Sequence, residues 1–140
     1  MLAKVLIVTP DAERAGRYAS ALGAAGFWTT VADRPEQALQ RARYCHPDCV
    51  ITDVLTGQCA LDLPRRLHEV APQAWVAGLA SEIFALDDGL RRQLSLDRLL
   101  PRGTAPVVLQ RSVLDMLGNG PRPLDATAER RGPEAPLAGA

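Results

Sequence analysis

The sequence contains no apolar run near the roughly 18 residues that a membrane span requires. Its N-terminal run, in "MLAKVLIVTPDAE", is short and is followed by no small-residue cleavage site, so it reads as a first strand and not as a signal peptide. There is no excess of either charge: Lys+Arg and Asp+Glu both number 16, for a formal net charge of zero. A protein that tracks nucleic-acid phosphates needs a basic field, and this balance argues against one. Cysteine is scarce, with three residues, Cys45, Cys49 and Cys59. Their spacing, even with His46 added, matches no zinc motif, and an odd number without a secretory signal implies reduced thiols and a cytoplasmic protein. No glycine-rich phosphate loop follows the first apolar run, where "TPDA" stands instead, which disfavours a small nucleotide binder or enzyme. No nucleophile–base pair occurs at believable spacing, so no enzymatic activity is expected.

What is present is a soluble balance of 47% hydrophobic and 23% charged residues over a length that suits one domain. "KVLIV" (4–8) reads as a buried strand. Asp11 can cap a helix to about Ala25, with Gly26 as its stop and Ala15, Tyr18, Ala19, Leu22 and Ala25 as its core face. "FWTTVA" (27–32) is a second strand, and Asp33 is expected to cap a helix to about Tyr44, with Pro35 in its first turn and Glu36 at capping-box distance. "CVIT" (49–52) is a third strand. After a loop around Thr56-Gly57-Gln58, a helix from about Leu61 to Val70 carries Pro64 early in its length. "AWVAGLA" (74–80) is a fourth strand, 83–94 a weaker helix, and 97–100 a short fifth strand. Thr104 is expected to cap a last helix that has Pro106 in its first turn and ends at Gly118. The segment 119–140, rich in Pro, Gly and Ala, cannot bury enough apolar surface to offset its ordering entropy and reads as a disordered tail or linker.

Five βα repeats imply a flavodoxin-like α/β fold: a doubly wound, parallel five-stranded sheet of order 2-1-3-4-5 occupying residues 1–118. In that fold a ligand site lies at the carboxyl ends of the strands. Asp53 stands there, directly after "CVIT". His46, before Pro47, and His68, beside Arg65 and Arg66, read as solvated. Of Phe27 and Trp28, one ring faces the core and the other the opposite side. Trp75, at the start of the fourth strand, reads as partly exposed packing.

The stretches "AKVLIVTPDAERAGRYASALGAAGFWTTVADRPEQALQRA", "HPDCVITDV" and "ALDLPRRLHEVAP" resemble the receiver domain of bacterial response regulators over about residues 3–118. "HPDCVITDV" is similar to the family's "PDLVLLDI", whose final carboxylate accepts a phosphoryl group. The resemblance therefore implies that Asp53 is a phosphoacceptor in a two-component phosphorelay. It also implies an acidic pair after the first strand that holds Mg²⁺ with the acceptor, a hydroxyl after the fourth strand, and a Lys-Pro pair after the fifth.

The sequence departs from each of these. The acidic pair aligns with Thr9 and Pro10, and Asp11, one residue later, leaves Asp11 and Asp53 as a weak metal pair at most. The hydroxyl position falls on Ala80, with Ser81 next to it. Lys-Pro becomes Leu100-Pro101, with Arg102 beyond. The loop after Asp53 is one residue short and lacks Pro-Gly, and the fifth strand has Arg98 or Leu99 where an aromatic switch residue is expected. The chain thus resembles a degenerate receiver, or pseudo-receiver, with Ser81 and Arg102 as switch-region candidates and no cofactor of its own. The expectation is a stand-alone receiver-type signalling module with Asp53 as acceptor; the alternative is a phosphorylation-independent docking or dimerisation adaptor. The resemblance implies a histidine kinase or phosphotransfer protein as donor. It also implies a partner, or a second copy, at the face formed by the fourth helix, fifth strand and last helix. The last helix carries Val107, Val108, Leu109, Val113, Leu114, Met116 and Leu117, more apolar residues than one core face requires, and the surplus, for example Val107 or Leu114, is expected to be exposed and suited to dimerisation.

Overall fold

A computed structural model of the chain describes residues 3–54, 61–82, 84–85 and 87–123. The strands are β1 (Lys4–Val8), β2 (Trp28–Ala32), β3 (Cys49–Asp53), β4 (Trp75–Ala80) and β5 (Arg98–Pro101). The helices are α1 (Ala12–Ala24), α2 (Pro35–Cys45), α3 (Leu63–Val70), α4 (Asp88–Gln93) and α5 (Pro106–Leu117). The strands form one parallel sheet in the order β2-β1-β3-β4-β5, as the alternation of apolar runs and amphipathic segments predicts.

β3 lies at the centre, and all five of its residues are buried. Its side chains alternate between two cores. Val50 packs with Leu6, Val8, Leu39, Leu63, Leu67 and Val76 on one face. Cys49 and Ile51 pack with Tyr18, Leu22, Leu109 and Val113, from α1 and α5, on the other. Complete burial pushes the Cys49 thiol pKa upward, so this cysteine stays protonated. Gly78 of β4 lies under Leu96 and Val54; a Cβ there would stand 2.7 Å from Leu96 Cδ1. No helix among the described residues is long and apolar enough to cross a membrane.

Several local expectations need correction. α2 is capped by Arg34, not Asp33, and no side chain caps it. Instead, the Asp33 N–H donates to Gln37 Oε1 at 2.8 Å, so the reciprocal bond comes from Gln37 and not Glu36. α3 begins at Leu63, because Pro64 fits only a first turn. The helix expected over 83–94 is only Asp88–Gln93, since Asp87 Oδ1 accepts the Leu90 N–H and starts it late. Thr104 does not cap α5; its hydroxyl donates to the Pro101 carbonyl at 2.6 Å and Ala105 takes the cap position. His68 is mostly buried: Nε2 lies 2.8 Å from the Ser95 carbonyl, an acceptor, so this nitrogen carries the proton. Other expectations hold: Phe27 packs on the α1/α5 core while Trp28 is exposed, His46 is exposed, and Trp75 is partly buried. Thr56-Gly57-Gln58 and Cys59 lie outside the described residues.

The chain also stays on the domain past Gly118. The Trp75 indole N–H donates to the Gly120 carbonyl at 2.8 Å, and the Arg122 N–H to the Gln73 carbonyl at 2.9 Å. Arg122 is 3% exposed, and its Nε donates to both carboxylate oxygens of Asp97, at 2.9 and 3.0 Å. Residues 119–123, read from composition as the start of a tail, are therefore part of the fold. The Arg122–Asp97 ion pair and these two backbone contacts, all invisible to a composition argument, hold them. Residues 124–140 lie outside the described set.

Candidate functional site

The site is built by register. Val8 pairs with Thr52 across β1 and β3, which places Thr9 beside Asp53 where both strands end. Asp53 is in phase with Cys49 and Ile51, so its side chain belongs to the face covered by α1 and α5. α1 starts immediately after β1, and its first turn stands over these carboxyl ends. Asp11 caps it: Oδ1 accepts the Arg14 N–H at 3.0 Å. That backbone bond is the main cause holding the Asp11 carboxyl below the usual carboxylate range, and the Arg14 guanidinium adds to it.

Arg14 is the residue that sequence reasoning missed. It lies one helical turn before Tyr18 on the stripe that continues to Leu22, and so it faces inward. Its Nη1 is 3.1 Å from Asp53 Oδ2, and its Nη2 is 3.5 Å from Asp11 Oδ2. A charged residue on an otherwise apolar helix stripe, one turn from the end that meets the site, was the available signal. Thr9 Oγ1 donates to the same Asp53 oxygen at 2.6 Å and accepts the Asp11 N–H at 3.1 Å. Asp53 is 2% exposed, and the Arg14 side chain 18%. The carboxylate thus sits in a dry site with its charge met by a guanidinium and a hydroxyl.

Ser81 and Arg102 are the remaining candidates from the sequence. Arg102 reaches the residue after Asp53: Nη2 donates to the Val54 carbonyl at 2.8 Å, and its N–H donates to the Ala80 carbonyl at 2.6 Å. Ala80 is buried at the end of β4, and the Ser81 carbonyl accepts the N–H groups of Phe84 and Ala85. Tyr18 adds a link from α1 to the loop before α5, its hydroxyl donating to the Thr104 carbonyl at 2.7 Å. Burial is the main cause that raises the Tyr18 pKa.

The residues present do not fit a resident magnesium ion. Mg²⁺ demands near-octahedral oxygen ligands and keeps several waters. Here Pro10 offers no side-chain oxygen, and the guanidinium already lies between the two carboxylates. The cavity beside Asp53, lined also by Val8, Pro10, Asp33, Arg34, Pro35 and Leu63, has about 10 Å³ of space, enough for one water. Among the described residues, no group of three or more His, Cys, Asp or Glu side chains is assembled for a metal.

No protein-family model matches the chain, and no curated protein matches it. Solved structures do. A CheY-like response regulator receiver domain protein from Methanospirillum hungatei is 14% identical with a TM-score of 0.74, the match covering 93% of this chain and 99% of that one. A chemotaxis response regulator of Vibrio cholerae is 19% identical with a TM-score of 0.74, over 84% of this chain and 100% of that one. A response regulator from Thermotoga maritima is 21% identical with a TM-score of 0.73, over 84% and 99%. The chain therefore has the flavodoxin-like fold of CheY-like receiver domains.

Proposed function

We propose that this protein is a receiver-type signalling module that acts through protein–protein contact, with Asp53 held by its own side chains and not switched by phosphoryl transfer. The observation that carries this reading is the Arg14–Asp53–Thr9 arrangement. Phosphoryl transfer is catalysed by positioning and by cations that neutralise charge developing on the phosphoryl oxygens. Here the nearby cation is committed to the acceptor itself, and Leu100 and Ala80 supply neither an ammonium nor a hydroxyl. The receiver fold supports a signalling role, and the retained Asp53 keeps phosphorylation by a histidine kinase or phosphotransfer protein as the competing reading. No reaction is assigned to the protein. A cytoplasmic location follows from the same reading.

The partner surface in this reading is α5 with α4 and β5. Val107, Val108 and Leu114 are exposed on α5, as its surplus of apolar residues predicts. A partner protein or a second copy of this chain is the expected occupant.

The test uses intact mass after incubation with acetyl phosphate and Mg²⁺. The expected result is no phosphate-sized gain. A gain that Asp53→Asn abolishes would overturn the proposal and favour the acceptor reading. Tryptophan fluorescence would report poorly, because Trp28 and Trp75 open β2 and β4 at the opposite end of the sheet from Asp53. For the surface, Val107→Glu is expected to shift light-scattering mass at high concentration toward the monomer, or to weaken a captured partner. If neither changes, α5 is not the contact face.

A further inference from the structure

We propose that the free edge of β2 pairs with the same edge of a second copy of this chain, antiparallel about Thr30, to form a closed dimer with one continuous sheet. β2 and β5 are the two edges of the sheet, so this surface lies on the far side from α5 and does not depend on the reading of Asp53. Natural sheet edges are blunted by charged residues or proline. β5 has both, in Arg98 and Pro101, whereas "FWTTVA" (27–32) has neither. Trp28 on this edge is 63% exposed, Val31 is exposed beside it, and Tyr44, in the last turn of α2, is 77% exposed.

The hydrogen bonds already made fix the register. The Trp28 N–H donates to the Ala3 carbonyl at 2.9 Å, and the Ala32 carbonyl accepts the Thr9 N–H at 3.0 Å. Alternate residues of a strand turn their backbone groups to opposite sides, so 28, 30 and 32 face β1, and Thr29 and Val31 turn theirs outward. Beyond these two the donors are spent: the Phe27 N–H goes to the Leu22 carbonyl and the Asp33 N–H to Gln37. A two-fold axis through Thr30 sets Thr29 of each copy against Val31 of the other and satisfies every outward group of both residues. An axis one residue to either side sets Val31 against Phe27, or Thr29 against Asp33, whose N–H groups are already used.

The side chains favour the same axis. α2 starts beside Asp33 through Gln37 and ends beside Thr30, whose hydroxyl lies 3.9 Å from Cys45 Sγ, so it covers the second half of β2 and leaves Trp28 bare. Across the axis, the bare half of each strand meets the covered half of the other. Trp28 then lies against the flank of α2 of the second copy, which presents Gln37 and, one turn on, Arg41, while Tyr44 meets its counterpart near the axis. Arg41 Nε is buried with no acceptor among the described residues, and a guanidinium over an indole face is a favourable pair. The Trp28 and Tyr44 rings of both copies remove roughly 500–700 Å² from water. The paired strands and Val31 supply the rest of the about 1,000 Å² that a specific interface needs. An unrelated extended peptide would pair the edge but bring no second Arg41 or Tyr44. Because β5 is blunted, pairing stops at two copies.

The experiment follows the full chain by sedimentation and by amide hydrogen exchange between about 10 µM and 1 mM. The mass is expected to rise from one chain to two and no further. Over the same range the Thr29 and Val31 amides should slow in exchange by about tenfold or more. Trp28→Ala and Val31→Lys, both at exposed positions, should each weaken dimerisation by about tenfold or more without lowering the melting midpoint, and Arg41→Gln should weaken it less. The exchange measurement on wild type stands without any variant, should one fail to fold. A monomer throughout the range overturns the proposal, as does a dimer whose Thr29 and Val31 amides stay unprotected, or one that folded Trp28→Ala and Val31→Lys form as wild type does. Growth beyond two copies overturns the closed pairing. Protection that appears only when a different protein is added overturns it too, and assigns the edge to strand addition by that partner. Val107→Glu addresses the α5 face and should leave protection at Thr29 and Val31 unchanged, so failure of the docking reading and failure of this one are read separately.

Discussion

Truncating the chain after Gly118 is expected to lower its melting midpoint by about 10–15 °C, whereas truncating after Pro123 should leave it within about a degree or two. The difference rests on five residues. Asp97, whose side chain is 1% exposed, immediately precedes β5. Its carboxylate accepts the Val76 N–H at 2.8 Å and both contacts from Arg122 Nε. Removing Arg122 takes away the principal counter-charge of a buried anion, and breaking such a pair costs about 3–5 kcal/mol. His68 Nε2 lies 3.9 Å from Asp97 and can offset part of that loss only when the imidazole is protonated. Loss of the Gly120–Trp75 bond adds a smaller amount. Thermal unfolding of the two truncations, with Arg122→Ala in the full chain, separates the ion pair from the backbone contacts. If truncation after Gly118 is harmless, the segment 119–123 is not part of the folded unit and the original boundary stands.

At the other end of the sheet, Arg14→Ala is expected to destabilise the protein by about 2–4 kcal/mol, and Asp53→Asn by clearly less. The asymmetry comes from burial. Asp53 is nearly inaccessible, so losing the guanidinium leaves an anion in a dry place with reduced compensation. Arg14 retains some exposure and a second carboxylate, Asp11, so losing the Asp53 charge leaves a cation that can turn toward water. Partial exposure of Arg14 places the figure below the value for a fully enclosed pair. The double variant Arg14→Ala/Asp53→Asn should recover much of the loss. Urea unfolding of the four proteins closes the cycle. Additive single effects would show that the two side chains do not act as a pair.

The architecture was legible because it depends on local periodicity. "KVLIV", "CVIT" and "AWVAGLA" are apolar runs too short for helices, and Asp11, Gly26 and Gly118 punctuate the helices where expected. Alternating strands and helices leave little choice but a parallel sheet, and its order places Asp53 at the carboxyl edge. Errors occurred where a cap or boundary is chosen by competition between neighbouring polar side chains. Asp33 lost to Arg34, Thr104 turned back to Pro101, and Asp87 started α4 late.

The sequence by itself determined the fold class and the place of Asp53 at the end of β3, because each is a property of residue type and periodicity along the chain. It also marked Val107 and Leu114 as surplus to the α5 core stripe, and both are exposed. Only the tertiary structure decided what meets the buried charges. Arg14 reaches Asp53 across 39 residues of sequence, and Arg122 reaches Asp97 across 25. Composition and periodicity carry no information about which long side chain will fold inward to such a carboxylate. That choice is made when strand register and helix placement bring them together, because a charge removed from water must find its counter-charge wherever the packing has put one.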